Sequence, residues 1–182
     1  MKRRMAVWGF FLVLGFVFSF SAYAADPIVI GVPTSTGFVE GKEGLAVVEM
    51  AVAEINAKGG VKVGSEKRMF KVESIDIRDA APGVPVPEAL MGIEKLILEK
   101  KADFIVGGPV RSEAALAAMD LLSKHKKISI LTTGVLTPAY SKRIGGNYDK
   151  YKYCFRNSSE VPAMMGDFMA LLEDLHKTKG FN

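Results

Sequence analysis

A three-layer α/β sandwich built on a doubly wound, mostly parallel sheet is the fold this sequence predicts, and three observations predict it. Between residues 28 and 178, short apolar runs rich in β-branched side chains alternate with amphipathic runs of helical length, the pattern of successive βαβ units. The junctions carry turn chemistry, with Gly59 and Gly60 closing one helical run and Pro82, Gly83, Pro85 and Pro87 constraining another connection. The single cysteine, Cys154, leaves no intramolecular disulfide available, so an ordinary hydrophobic core must hold the domain.

The elements follow in order. The run IVIGV predicts a strand over 28–32, and a helix over 44–58 places Leu45, Val48, Ala51, Val52 and Ile55 on one stripe before its glycine stop. A strand over 70–77 leads through the proline-rich loop to a helix over 87–101. A strand over 103–107 meets Gly107, Gly108 and Pro109, and a helix over 112–125 opens on Ser112 as N-cap, with Ala114, Ala115, Leu116, Ala117, Ala118 and Met119 behind it. A strand over 128–132, a loop, a strand over 152–156 and a helix over 160–178 complete the domain. Cys154, set among Tyr151, Tyr153 and Phe155, reads as a buried strand thiol.

Residues 1–24 read as a secretory signal peptide rather than as part of the fold. Lys2, Arg3 and Arg4 precede an apolar run of about 16 residues, shorter than the roughly 20 a membrane span needs, and a small-residue site ends at Ala24. Export to the periplasm is therefore expected, leaving residues 25–182 as one domain. Cleavage also removes three of the positive charges behind the formal net charge of +4, and no acids. The basicity belongs mostly to the export segment, and no basic patch interleaved with aromatics supports nucleic-acid binding. The run Lys124, His125, Lys126, Lys127 falls where a helix ends and complements its dipole. Trp8, the only tryptophan, also lies in the export segment.

In a parallel sheet with right-handed crossovers, ligands bind beyond the carboxyl ends of the strands. The loops expected at that edge are 33–44, which carries Phe38, 79–86, 108–112 with Arg111 and Ser112, and 133–138 with Thr133, Val135, Leu136 and Thr137. The first turn of a helix holds unpartnered amides and the positive end of its dipole, so the turn at Ser112 suits a carboxylate. Catalytic and cofactor patterns are missing. No GxGxxG, GxxxxGK[ST] or GxSxG occurs, and His125 and His176 lack cysteines or carboxylates at ligand spacing. No cofactor and no metal are expected, and binding explains these residues better than catalysis.

Five segments carry a resemblance: IVIGVPTSTG, AVAEINAKGGV, IVGGPVRSEAALA, ILTTGVLTP and YCFRNSSEVPAM. In this order, after an export signal, they resemble the N-terminal lobe of periplasmic solute-binding proteins of the branched-chain amino acid type, from Ile28 to the end of the chain. The resemblance implies a type I periplasmic binding fold, a non-enzymatic role and a solute held between two lobes for delivery to an inner-membrane ABC permease. It also implies that Ser112 and a hydroxyl in the loop after the fourth strand hold the ligand carboxylate. Arg111, beside Ser112, reads either as added charge for a carboxylated ligand or as a solvated surface arginine. Here the family's loop hydroxyl gives way to Val135 and Leu136, ahead of Thr137 and Pro138. Either Thr133 or Thr137 substitutes, or the solute is not an ordinary α-amino acid. The second lobe, which would supply the other wall of the cleft, is not in these residues. Two other classes share the pattern: the ligand-sensing domain of a membrane receptor, and a flavodoxin-like enzyme using the same sheet edge.

Overall fold

A computed structural model describes residues 26–180, so the signal-peptide reading of residues 1–24 lies outside the described residues. Strands β1 (Ile28–Thr34), β4 (Phe70–Asp76), β5 (Phe104–Gly107), β6 (Ile128–Leu131) and β7 (Cys154–Arg156) form one sheet in the order β4-β1-β5-β6-β7. Every pair in it is parallel. This is the doubly wound arrangement, because the chain leaves β1 to one side and returns past it to the other. Strands β2 (Val61–Val63) and β3 (Glu66–Arg68) form a separate antiparallel hairpin.

Helix α1 (Val39–Ala57) covers β1, β4 and β5 on one face. Helices α2 (Val86–Leu98) and α3 (Ser112–Lys124) pack together on the other, where Ile93, Leu96, Ile105, Ala118, Met119 and Leu131 build the core. Short helices α4 (Pro138–Gly146) and α5 (Tyr148–Tyr151) close that side, with Tyr140 and Tyr151 buried in the same core. Cys154 is free and buried among them, and burial pushes its thiol above the ordinary cysteine range.

Three expectations differ from this fold. Helix α1 begins at Val39, five residues before the expected 44, because Gly41 lets the helix start against the preceding loop. A Cβ at Gly41 would lie 2.1 Å from the Ser35 carbonyl oxygen. The hairpin over 61–68 is too short and too charged to show an alternating pattern. The stretch between residues 132 and 152, expected as a loop, folds into α4 and α5, which Thr137 and Asn147 cap through their side chains.

The α1 side of the sheet is covered only in part. Val106, Ile130 and Phe155 are neighbours in register, as are Phe104 and Ile128, so one apolar row crosses β5, β6 and β7. Ile128, Ile130 and Phe155 remain exposed. A groove of about 210 Å³ runs between α1 and the strands, lined by Val48, Val52, Ile55, Ile30, Phe70 and Val106 among others. Helix α6 (Val161–Lys179) buries none of its residues, and Val161, Met164, Met165, Phe168 and Met169 form an exposed apolar stripe on it.

At the opposite end from the loops that follow the strands, Asp120 ties α3 to α4 and α5. It accepts from Lys150 Nζ at 2.6 Å, from Arg143 Nη2 at 2.7 Å and from the Tyr151 hydroxyl at 3.0 Å. The Lys150 ammonium, with Tyr151 and Arg143 behind it, holds the Asp120 carboxyl below the ordinary aspartate value of 3.8. Folding therefore favours the ionised form. That support is complete above the unfolded-state value and is lost as the pH falls through the lower folded one. Asp120→Asn is expected to lower stability at neutral pH and to flatten the loss of stability in acid. Urea midpoints between pH 2 and 7 measure this, and parallel curves for variant and parent would refute it.

Candidate functional site

The strand order reverses between β1 and β5, and ligands in such sheets sit in the crevice beyond the carboxyl ends of those strands. Three loops meet there, following β1, β4 and β5, and polar side chains join them. Asp79, fully buried, accepts the Ser35 hydroxyl at Oδ1 over 2.7 Å and the Arg111 backbone N–H at Oδ2 over 2.7 Å. Ser35 Oγ in turn accepts the Ala80 N–H at 3.0 Å. Beside them the Thr34 hydroxyl donates to the Gly41 carbonyl at 2.8 Å, and the Thr36 hydroxyl donates to Asp76 at 2.6 Å.

Ser112 was expected as the N-cap of α3, and the structure corrects this. Arg111 holds the cap position with an extended backbone, ψ 133, and no side chain caps the helix. The reason lies in the loop: the Arg111 amide is taken by Asp79, and the Arg111 carbonyl already accepts the Ala115 N–H at 3.0 Å. Ser112 is thus the first helical residue. Its half-buried hydroxyl has no partner among the described residues, so the helix that begins there does not consume it. The first-turn amides of a helix are unpartnered by construction, which leaves hydroxyl and amides together at the crevice.

Arg111 itself is directed elsewhere. Its Nη2 donates to the Val84 carbonyl at 3.2 Å and its Nε lies 3.6 Å from the Glu113 carboxylate. The guanidinium braces the proline-rich loop and the first turn of α3.

The loop after β6 is shaped by two consecutive left-handed residues, Gly134 (φ 61) and Val135 (φ 51). Gly134 is required there, because a Cβ would lie 2.2 Å from the Val110 carbonyl oxygen. The Val135 N–H donates to that same carbonyl at 3.1 Å, which stitches this loop to the one before α3. Val135 was expected to face a ligand, and this too is corrected. Its side chain is 1% exposed and belongs to the core with Leu131 and Tyr140. The turn rotates it inward, so an apolar residue at 135 fills the core rather than the crevice.

Arg156 fixes the rest of the loop. Its Nη1 donates to the carbonyls of Val135 and Thr137, each at 2.9 Å, and its Nη2 reaches Ser141 and Glu160. The Ser158 hydroxyl donates to the Gly134 carbonyl at 2.9 Å. The Ser141 hydroxyl, and after it Arg156, holds the Glu160 carboxyl below the ordinary glutamate range.

Of the remaining candidates, Thr137 caps α4 by accepting the Ala139 N–H at 3.2 Å, which leaves its O–H as a possible donor. Thr137→Ala is expected to cost about 1 kcal/mol through the lost cap, measured by thermal or urea unfolding. Thr133 is half-buried and sits against α1, where a Cβ at Gly44 would come 3.2 Å from its methyl group. Leu136 is half-buried with its carbonyl bonded to the Val161 N–H, and Phe38 occupies the N-cap of α1, 37% exposed. Ser112 and Arg111 thus stand on one loop, Thr133, Leu136 and Thr137 on a second, and Phe38 on a third.

Ser35, Asp79 and Arg156 hold the site and were not among the expected residues. Asp79 carried one usable signal, an acid shortly after a strand and before a run of prolines, where a buried carboxylate can gather backbone amides. Among the described residues no group of three or more His, Cys, Asp or Glu side chains is gathered for a metal, and no helix is long and apolar enough to cross a membrane.

Parallel sheet, strand order and loop crevice define this chain as an α/β lobe of the periplasmic-binding type I fold, and its structural neighbours are substrate-binding proteins of branched-chain amino acid ABC transporters. One is a protein of Silicibacter pomeroyi described as a branched-chain amino acid ABC transporter, with 22% identity and a TM-score of 0.70 over 86% of this chain and 38% of that one. A second is the branched-chain amino acid transporter substrate-binding protein LivJ of Streptococcus pneumoniae, in complex with isoleucine, at 23% identity and a TM-score of 0.56. It is matched over 74% of this chain and 34% of that one. A third is an ABC-transporter solute-binding protein of Rhodopseudomonas palustris in complex with 3,4-dihydroxybenzoic acid, at 16% identity and a TM-score of 0.50, over 74% and 32% of the two chains. The chain therefore spans about a third of the length of these structures. No family model matches the sequence, and no curated protein does.

Proposed function

We propose that this chain is the first lobe of an extracytoplasmic solute-binding component of an ABC importer, without enzymatic activity, taking an amino acid or related small carboxylate or amide. The observation that carries the reading is Ser112: a hydroxyl unused by its own helix, beside the first-turn amides of α3, at the switch point of a parallel sheet. Solutes bound by two of the similar proteins, isoleucine and 3,4-dihydroxybenzoic acid, both carry a carboxylate, which supports the ligand class. Export to the periplasm, a second lobe forming the opposite wall and an inner-membrane permease as partner complete the proposal.

With one wall only, the site lies open to water and each hydrogen bond in it is worth less. Binding by this chain alone is therefore expected to be weak. Titration of the purified chain with isoleucine and with 3,4-dihydroxybenzoate, followed by amide NMR shifts at residues 111–115 and 133–137, tests it. Ser112→Ala is expected to weaken the response roughly tenfold, the worth of one hydrogen bond to a charged group. Shifts confined to other parts of the chain, or an unchanged response in the variant, would overturn the assignment.

A further inference from the structure

We propose that Asp79 is a positioning residue for this site, a buried clasp that sets the start of α3 and so decides that Ser112 enters the helix with its hydroxyl unspent. The clasp rests on the solute-site reading only for its functional consequence; its geometry stands by itself.

Asp79 is 0% exposed, and among the described residues no cation is paired with it. Its two oxygens are held by donors, Ser35 Oγ on Oδ1 and the Arg111 N–H on Oδ2, both at the short distance of 2.7 Å. The Arg111 amide lies at the N-terminus of α3, so the Asp79 side chain sits against the start of that helix. A buried carboxylate held in this way is retained where its geometry is needed, since an apolar core side chain would avoid the desolvation.

That geometry joins three loops. Ser35 lies after β1, Asp79 and Ala80 after β4, and Arg111 after β5, the connections that surround the switch point. Taking the Arg111 amide fixes that residue in an extended conformation, and its carbonyl is then aimed to accept the Ala115 N–H. Without the acceptor at 79, the start of α3 is free to shift one residue later: Ser112 can then turn extended and become the capping residue, which would spend its hydroxyl on its own helix.

Hydrogen-exchange NMR on the purified chain tests the clasp without any ligand. Asp79→Ala is expected to speed exchange of the Arg111 amide by about tenfold or more, while the Ile105 and Leu131 amides keep their rates. Asp79→Asn preserves an acceptor for Arg111 and a donor toward Ser35 Oγ, and is expected to restore protection at Arg111 to within a few-fold. Ser35→Ala should release Ala80 and spare Arg111, and it keeps the test informative if Asp79→Ala fails to fold. The clasp is wrong if Arg111 protection survives Asp79→Ala, if Ile105 and Leu131 lose protection in proportion, or if Asp79→Asn behaves like Asp79→Ala.

Titration with isoleucine or 3,4-dihydroxybenzoate then reads the consequence. Asp79→Ala should weaken whichever probe the parent binds by about tenfold, with Asp79→Asn close to the parent; equal binding by all three would remove the positioning role. If the parent binds neither probe, the choice of ligand fails and the amide pattern alone decides the clasp.

Discussion

Arg156→Ala is expected to destabilise the chain by about 2 kcal/mol and to loosen the loop over 134–137. The Arg156 side chain is 7% exposed, and its Nη1 serves two carbonyl oxygens, those of Val135 and Thr137. The Val135 carbonyl would lose its side-chain donor at a cost of about 1–3 kcal/mol, whereas the Thr137 carbonyl keeps the Tyr140 N–H at 3.4 Å. The loss should appear as a shift in urea midpoint with an unchanged slope. Arg156→Lys should recover only part of it, because an ammonium is a point donor and cannot bridge two carbonyls while also reaching Ser141. A loss under about 1 kcal/mol would mean that water or a neighbouring side chain takes over those carbonyls, and the loop would then owe its shape to Gly134 and Val135 alone.

Gly41→Ala should be at least as damaging, although alanine is the better helix former by about 1 kcal/mol. The added Cβ would lie 2.1 Å from the Ser35 carbonyl oxygen and 2.6 Å from its carbon, distances that force backbone to move. The Thr34 hydroxyl bond to the Gly41 carbonyl, at 2.8 Å, would be disturbed by the same displacement. Overpacking of this kind costs about 1–3 kcal/mol after relaxation, and here the backbone on both sides places the cost near the upper end. Gly166→Ala is the control, since nothing lies within 4 Å of a Cβ in the middle of α6. It is expected to stabilise its helix by up to about 1 kcal/mol, so that the two substitutions move the thermal midpoint in opposite directions. Equal effects would show that the contact at Ser35 is easily relieved.

What could be read from the chain before its structure was the part governed by periodicity. The apolar runs at 28–32, 103–107 and 128–132 are strands of the parallel sheet, and the stripes at 87–101 and 112–125 are helices on it. The deviations are all places where a contact distant in sequence outweighs the local signal. Ser112 has the chemistry of a cap, but Asp79, thirty-three residues earlier, selects Arg111 instead. Gly41 and Gly44 look like loop residues but are helical, and their missing side chains let the helix lie against Ser35 and Thr133. Val135 looks like a rim residue until the two left-handed dihedrals turn it inward. The acidic and basic residues that organise the loops, Asp79 and Arg156, satisfy backbone groups, and a hydropathy pattern does not record where unpaired backbone groups will fall.

The uncovered row of Val106, Ile130 and Phe155 and the stripe along α6 have a practical meaning for anyone handling this polypeptide. A dye such as ANS, which brightens on apolar surface, should light up on the natively folded chain and not only on its acid form. Fluorescence of that kind, ordinarily taken as a sign of a molten state, would here report a well-packed core with an unclothed flank. Near-ultraviolet tyrosine dichroism from Tyr140 and Tyr151, both buried, is the signal that tells the two apart.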